Sequence, residues 1–246
     1  MQPLDDAPGL PVENRLLAAL PVDEYQRLQP HLQPIDLKLR QILYGPGERA
    51  SHVYFPHQSI VSLVSVMKDG RRVEVGLVGN EGMVSTETFM GGNGSPNEAM
   101  VQVADSGVRM ETEILLKEFK RGGALQVALL RYAQSLFAQV SQCAACNRLH
   151  SIEKRLARWL LMVSDRTKTD KVPMTQEFLA FMLGSERSGV TLAAITLQEA
   201  GVIEYRRGKI TIIDRVGLMA AACECYVVIK KTFDHFLDDL QARDSD

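Results

Sequence analysis

The chain has 246 residues, 46% of them hydrophobic, with 28 Lys and Arg against 30 Asp and Glu. That length allows one large or two modest domains, and a net charge of −2 excludes a uniformly basic nucleic-acid coat. No apolar run approaches the roughly 20 residues of a membrane span. Met1–Leu20 lacks the basic and apolar regions of a signal peptide, so the four cysteines predict reduced thiols in a cytoplasmic protein with no membrane partner.

Residues 1–34 read as short helices broken by prolines, with Leu16, Leu17 and Leu20 at helical spacing before Pro21. From 35 to 110 short β-rich runs alternate with Gly45-Pro46-Gly47, Pro56 and Asp69-Gly70. An Asp-Gly pair between β-rich runs predicts a hairpin, and Asp105-Ser106-Gly107 predicts a second. Regularly spaced strands of this kind make a compact antiparallel roll or barrel. A long helix follows from about Leu125 to Val163. Leu129, Ala133, Leu136 and Val140 form its apolar stripe, continued by Leu149, Ile152, Leu156, Trp159 and Val163 after a phase shift near Cys143–Asn147. Such a stripe needs a partner, either the chain's own roll or a second copy of the helix.

The stretch "MTQEFLAFMLGSERSGVTLAAITLQEAGVI" (174–203) predicts two short helices around one glycine. Thr175 is an N-cap, and Phe178, Leu179, Met182 and Leu183 define a buried face. Gly184 supplies the left-handed turn, Ser185 caps the second helix, and Glu186 lies near its positive dipole end. Val190, Ala194 and Leu197 form the core stripe of that helix, with Arg187, Ser188 and Thr191 opposite. This is the helix-turn-helix pattern, whose second helix enters the DNA major groove. "VIEYRRGKITIID" (202–214) adds a hairpin wing with Arg206, Arg207 and Lys209 at its tip. Residues 144–215 hold 12 Lys and Arg against 8 Asp and Glu, so the positive surplus lies around this motif, as phosphate binding requires.

Roll, long helix and winged helix-turn-helix in this order resemble the Crp/Fnr family of bacterial transcription regulators, over residues 20–214. Thr175, Gly184, Arg187 and Val190 match the family's signature spacing, and "CNRLHSIEKRLARWLL" (146–161) looks like its dimerisation helix. The resemblance implies an α+β fold in three parts. Residues 1–124 would be a sensor β-roll, jelly-roll-like, with leading helices. Residues 125–163 would be the dimerisation helix, and 164–246 the winged helix-turn-helix with an added C-terminal helix. It also implies that Arg187 reads a guanine and that Thr175 and Gln176 meet phosphates. Ser188 departs from the glutamate with which many relatives read a second base, and Leu192 replaces a polar contact. The expected DNA-binding set is thus Thr175, Gln176, Ser185, Glu186, Arg187, Ser188, Thr191, Arg206, Arg207 and Lys209. The expected partners are double-stranded DNA, a second copy of the chain and RNA polymerase.

In cyclic-nucleotide-binding members a Gly-Glu segment and an Arg-Ser pair hold the phosphate. Here "VGNEGMV" (78–84) resembles the first, but Asn97-Glu98 stands where Arg-Ser should be. A degenerate pocket near Gly79, Glu81, Gly82, Asn97 and Glu98 follows, with a carboxylate in place of the cationic clamp. No cofactor is expected, and the signal is something other than cyclic AMP.

Cys143, Cys146 and His150 share one helix face. The reading favours thiols packed at a helix contact, with a thiol- or metal-responsive switch at Cys143/Cys146 as the alternative. One helical segment cannot close a tetrahedral zinc site, and no second Cys-x-x-C completes it, so no metal ligand is assigned. Cys223 and Cys225 read as packing residues in a helix over 217–237 that docks back on the protein. No catalytic set is found: His52 and His57 lack a third ligand, and no enzyme activity is expected.

Overall fold

The computed structural model describes residues 12–242. The N-terminal reading over residues 1–11 lies outside them. Two short helices lead in, α1 (Arg15–Ala18) and α2 (Val22–Leu28). Leu16, Leu17, Leu20 and Leu28 are fully buried, so these helices are part of the core. Asn14 caps α1 by accepting from Leu17 N, and its amide donates to Pro56 O and Gly82 O, both at 2.9 Å.

The roll consists of two antiparallel sheets. One has the order β1 (Gln33–Leu37), β7 (Asp105–Glu111), β3 (His52–Pro56). The other runs β2 (Ile42–Tyr44), β6 (Glu98–Val103), β4 (Ile60–Val66), β5 (Arg72–Val78). Asp69-Gly70 forms the expected hairpin, pairing Val66 with Arg72. Asp105-Ser106-Gly107 does not. β7 pairs with β1 and β3, and the chain passes from one sheet to the other after Val103 without turning back. Gly107 allows this close approach, because a Cβ there would lie 2.8 Å from Phe55 O.

After α3 (Thr112–Arg121), the expected single long helix is two: α4 (Ala124–Leu149) and α5 (Ile152–Thr167). The break falls at His150, whose backbone is extended, and at Ser151, which holds the N-cap position of α5 without a side-chain bond. The Glu24 carboxylate accepts from Ala124 N and Leu125 N at 2.8 Å each, placing a negative charge on the positive end of α4. The predicted stripe of α4 is also used differently. Leu129 and Leu136 are buried within the chain, whereas Leu130, Phe137 and Leu149 are 50%, 73% and 74% exposed.

α6 (Gln176–Leu183) and α7 (Arg187–Glu199) follow β8 (Lys171–Pro173). β9 (Ile203–Arg206) and β10 (Lys209–Ile212) complete a three-stranded sheet in the order β8-β10-β9. The C-terminal segment is α8 (Arg215–Ala221) and α9 (Cys225–Ala242), broken at Ala222–Glu224. α9 packs on α4 and α5, burying Ile229, Phe233, Phe236, Leu237 and Leu240, while Val228 is exposed. Among the described residues no single helix is long and apolar enough to cross a membrane.

Candidate nucleic-acid interface and the groups behind it

Thr175 caps α6 as expected, accepting from Phe178 N at 3.3 Å. Gly184 ends the helix in the left-handed region (φ 55°), and α7 leaves at 107° to α6. A side chain at 184 would be strained by that φ and would meet Val73 at 2.7 Å. Val190, Ala193, Ala194 and Leu197 bury the inner face of α7. Ser185 is not the cap of α7: its hydroxyl donates to Leu183 O at 3.2 Å, and Glu186 holds the cap position without a side-chain bond.

Arg187 and Ser188 are exposed at the start of α7, beside exposed Leu192. Thr191 Oγ bridges Gln176 Oε1 and Arg187 O at 2.9 Å each, so the two helix starts are held in register. In the wing, Arg207 and Gly208 both take positive φ (47° and 75°), the turn type that matches strand twist. Arg206 pairs with Glu204 at 2.7 Å. Arg207 and Lys209 are exposed with no ion-pair partner among the described residues, as is Arg187.

The docking of this motif on the roll escaped the sequence. Phe178 and Phe181 of α6 lie under Arg40 and Arg72, with guanidinium carbons 5.6 and 5.4 Å from the ring centres. Val64, Met100 and Met182 close the contact. A cavity of about 690 Å³ opens between the β4–β5 hairpin and the α6–α7 turn, lined by Arg71, Arg72, Asn147, Phe181 and Glu186 among others. Aromatic residues on α6 were visible; that they face the roll was not.

The expected nucleotide pocket is not assembled. Glu98 opens β6 level with Val64, whereas Gly79 follows Val78, which pairs with Val61 further along the sheet. Glu98 is buried and paired with Arg72. Glu81 is buried and accepts from Arg166 Nε of α5 at 2.8 Å. Arg166 also donates to Gln139 Oε1 at 3.1 Å, and Gln139 donates to Leu77 O at 2.9 Å. Gly82 lies against Tyr132 so closely that a Cβ would fall 2.0 Å from the ring. The segment that resembles a phosphate loop is thus filled by the chain's own side chains. Next to it, Glu74 accepts from Ser62 Oγ at 2.7 Å and Trp159 Nε1 at 3.1 Å, and burial raises its carboxyl to about 7.

The cysteines are paired differently from the expectation. Cys143 stands apart, accepting from Arg158 Nη1 at 3.1 Å. Cys146 meets Cys223 and Cys225, which are not separate packing residues, and His150 joins them. The four ligand atoms lie within 4.8 Å of one another. Cys146 Sγ and Cys223 Sγ share a hydrogen bond at 3.5 Å, which raises the Cys146 thiol above its ordinary range and lowers that of Cys223. His57 has polar neighbours too, Ser106 Oγ at 3.2 Å and Glu13 at 3.9 Å, but both meet the same ring nitrogen, so no proton relay passes through the ring.

Residues 154–221 match the family model of the Crp-like helix-turn-helix domain. No curated protein matches the chain. Among solved structures, a CRP-family transcriptional regulator from Thermus thermophilus is 19% identical with a TM-score of 0.63, covering 76% of this chain and 96% of its own. The c-di-GMP-responsive global regulator CLP of Xanthomonas campestris is 16% identical with a TM-score of 0.64, covering 78% and 99%. FixK2 of Bradyrhizobium japonicum is 16% identical with a TM-score of 0.63, covering 78% and 98%. Residues 154–221 are therefore a Crp-like helix-turn-helix domain, and most of the chain shares the fold of these regulators, roll and long helix included.

Proposed function

We propose that the chain is a homodimeric, sequence-specific DNA-binding regulator that acts on a palindromic operator with RNA polymerase. The observation that carries this reading is Arg187, exposed at the first turn of α7 with no ion-pair partner among the described residues. An arginine so placed can bond bidentately to guanine O6 and N7. In this reading Thr175, Gln176, Glu186, Ser188 and Thr191 complete the DNA-facing set, and Arg206, Arg207 and Lys209 address the phosphates. Ser185 serves at the turn, where Arg155 reaches it at 3.5 Å. We assign the division of labour as sensor roll, dimer helix and DNA-binding unit, with α4 alone as the dimer helix.

Leu130, Phe137 and Leu149 support α4 as the seam between two copies, with Gln134, Ser141 and Ala144 exposed between them. A two-fold axis along α4 would hold two copies of α7 about 34–36 Å apart, one turn of DNA. Selection of binding sites from a random duplex pool tests this. A palindrome with guanine at equivalent positions in both halves is expected, and a dimeric mass that Phe137→Asp reduces to a monomer. Single half-sites bound tightly by a monomer would overturn it.

The signal in this reading is not cyclic AMP, since Glu81 and Glu98 already hold the cations within reach. A second reading makes thiols the input. The group around Cys146 favours it over the Cys143/Cys146 pair, because Cys143 is engaged by Arg158.

A further inference from the structure

We infer that Cys146, His150, Cys223 and Cys225 form a closed site for one thiophilic divalent cation, zinc by its chemistry, that clamps the C-terminal helix to the end of α4. The clamp deepens the thiol reading above, but it holds or fails independently of DNA recognition.

Three sulfurs and one imidazole nitrogen are the donor set of a structural zinc site, with Zn–S near 2.3 Å and Zn–N near 2.0–2.1 Å. A tetrahedron of those bonds needs its donor atoms about 3.5–3.8 Å apart. Cys146 Sγ lies 3.5 Å from Cys223 Sγ, and Cys225 Sγ lies 3.5 Å from His150 Nδ1. All cysteines are free, and a disulfide would need the sulfurs at about 2.05 Å.

The chain also supplies what such a site needs around it. Glu224 Oε1 lies 3.3 Å from His150 Nε2. A carboxylate there keeps the proton on Nε2 and turns the Nδ1 lone pair toward the sulfurs. Gln142 Nε2 donates to Cys225 Sγ at 3.1 Å, an N–H···S bond that steadies a thiolate. Cys225 is the first residue of α9, where the free amides of a long helix favour a negative sulfur. Buried Arg155 and Arg158 lie close enough for their charge to act on these sulfurs. That offsets the single negative charge left when three thiolates meet a divalent cation.

Binding is acid–base chemistry with no redox step. Each thiol gives its proton to solvent as its sulfur joins the metal, and the histidine coordinates as the neutral ring. With four protein donors no coordination position stays open, so the site holds structure and performs no catalysis. Its donors come from α4 and from the α8–α9 turn, two elements distant in sequence. His150 ends α4 where the chain breaks toward α5 and the DNA-binding motif. Occupancy would therefore set the joint between the dimer helix and that motif.

The test uses the full chain, purified reduced, stripped with a chelator and titrated with zinc or cobalt. One metal ion per chain is expected, with the cobalt form showing the visible bands of a tetrahedral thiolate site. Cys143→Ser should leave the spectrum intact, whereas Cys223→Ser and Cys225→Ser should abolish it. Glu224→Gln and Gln142→Ala should weaken affinity about 10- to 100-fold. Reduced full-length protein that takes up neither metal overturns the proposal, and because this readout is on the unaltered chain it stands even if a variant misfolds. So does a Cys146–Cys223 disulfide found by mass spectrometry in place of metal uptake, or loss of the spectrum in Cys143→Ser alone. Selection of DNA sites is read separately: metal uptake without DNA binding would leave the clamp standing and remove the regulator reading, and the reverse outcome would do the opposite.

Discussion

Gly79–Gly82 and the start of α7 are both short polar stretches beside a helix, and they meet opposite fates. Glu81 is buried, held by Arg166, and the glycine after it is pressed on Tyr132. Arg187 and Ser188 stand in water with no ion-pair partner among the described residues. Buried polar groups are paired because leaving them unpaired costs several kcal/mol. A buried carboxylate ion-paired within the chain, as Glu81 is, holds the fold, whereas a polar group left exposed at a helix start is available to a ligand.

The largest expected effect comes from breaking the first of these regions. Arg166→Ala leaves Glu81 buried without its charge partner and should cost about 3–5 kcal/mol of stability. Denaturant unfolding checks this, and a second change, Glu81→Met, should recover part of the loss. A variant as stable as the parent would mean that the loop is not sealed by this pair.

Next comes Glu74, behind the same seal. Its carboxyl is raised from 4.5 to about 7, chiefly by burial, against the opposing bonds from Ser62 and Trp159 and the charge of Arg158. The folded protein keeps this proton where the unfolded chain has lost it. The stabilisation is therefore complete below pH 4.5 and is lost as pH rises through 7, on the order of 3 kcal/mol in all. Glu74→Gln should flatten that slope of unfolding free energy against pH. An equal slope in the variant would assign the titration to another group.

The exposed region should respond in affinity and not in stability. Arg187→Ala is expected to cost about 1–3 kcal/mol per half-site and to relax preference at one guanine, with an unchanged melting temperature. Unchanged sequence preference would put the reading residue elsewhere on α7. The smallest effect belongs to the wing. Arg207→Ala or Lys209→Ala should weaken all sequences alike and reduce the salt slope by about 1. Arg206, tied to Glu204, should matter less than either.

What could be read in advance follows the reach of each interaction. Thr175, Gly184 and Asp69-Gly70 act on their neighbours in the chain, so cap, turn and hairpin were legible. The charge surplus and the stripe Val190, Ala194, Leu197 likewise needed only local spacing. The pairing of Glu81 with Arg166 spans 85 residues, and Cys146 meets Cys223 across 77. No periodicity encodes such meetings. The α4 stripe failed for a related reason: leucines lie on two of its faces, and the spacing of α9, which docks back on the protein, does not tell which element it takes as its partner. Ser185 misled because serine caps helices so often, while Glu186 is the residue that holds the extended cap geometry.

Asp165 gives the DNA-binding motif a suspension of its own. The motif leaves α5 just past Asp165, and it returns through Arg215, which pairs with Asp165 and donates to Ser164 Oγ at 2.9 Å. Tyr226 of α9 donates to the same carboxylate at 3.0 Å. The entry and exit helices, α5 and α8, are therefore fastened at one point, as a bucket handle is fastened to its rim. A handle of this kind tilts about its base but does not swing out on a single tether, so any reorientation of α7 must turn α5, α8 and α9 with it or first break the fastening at Asp165.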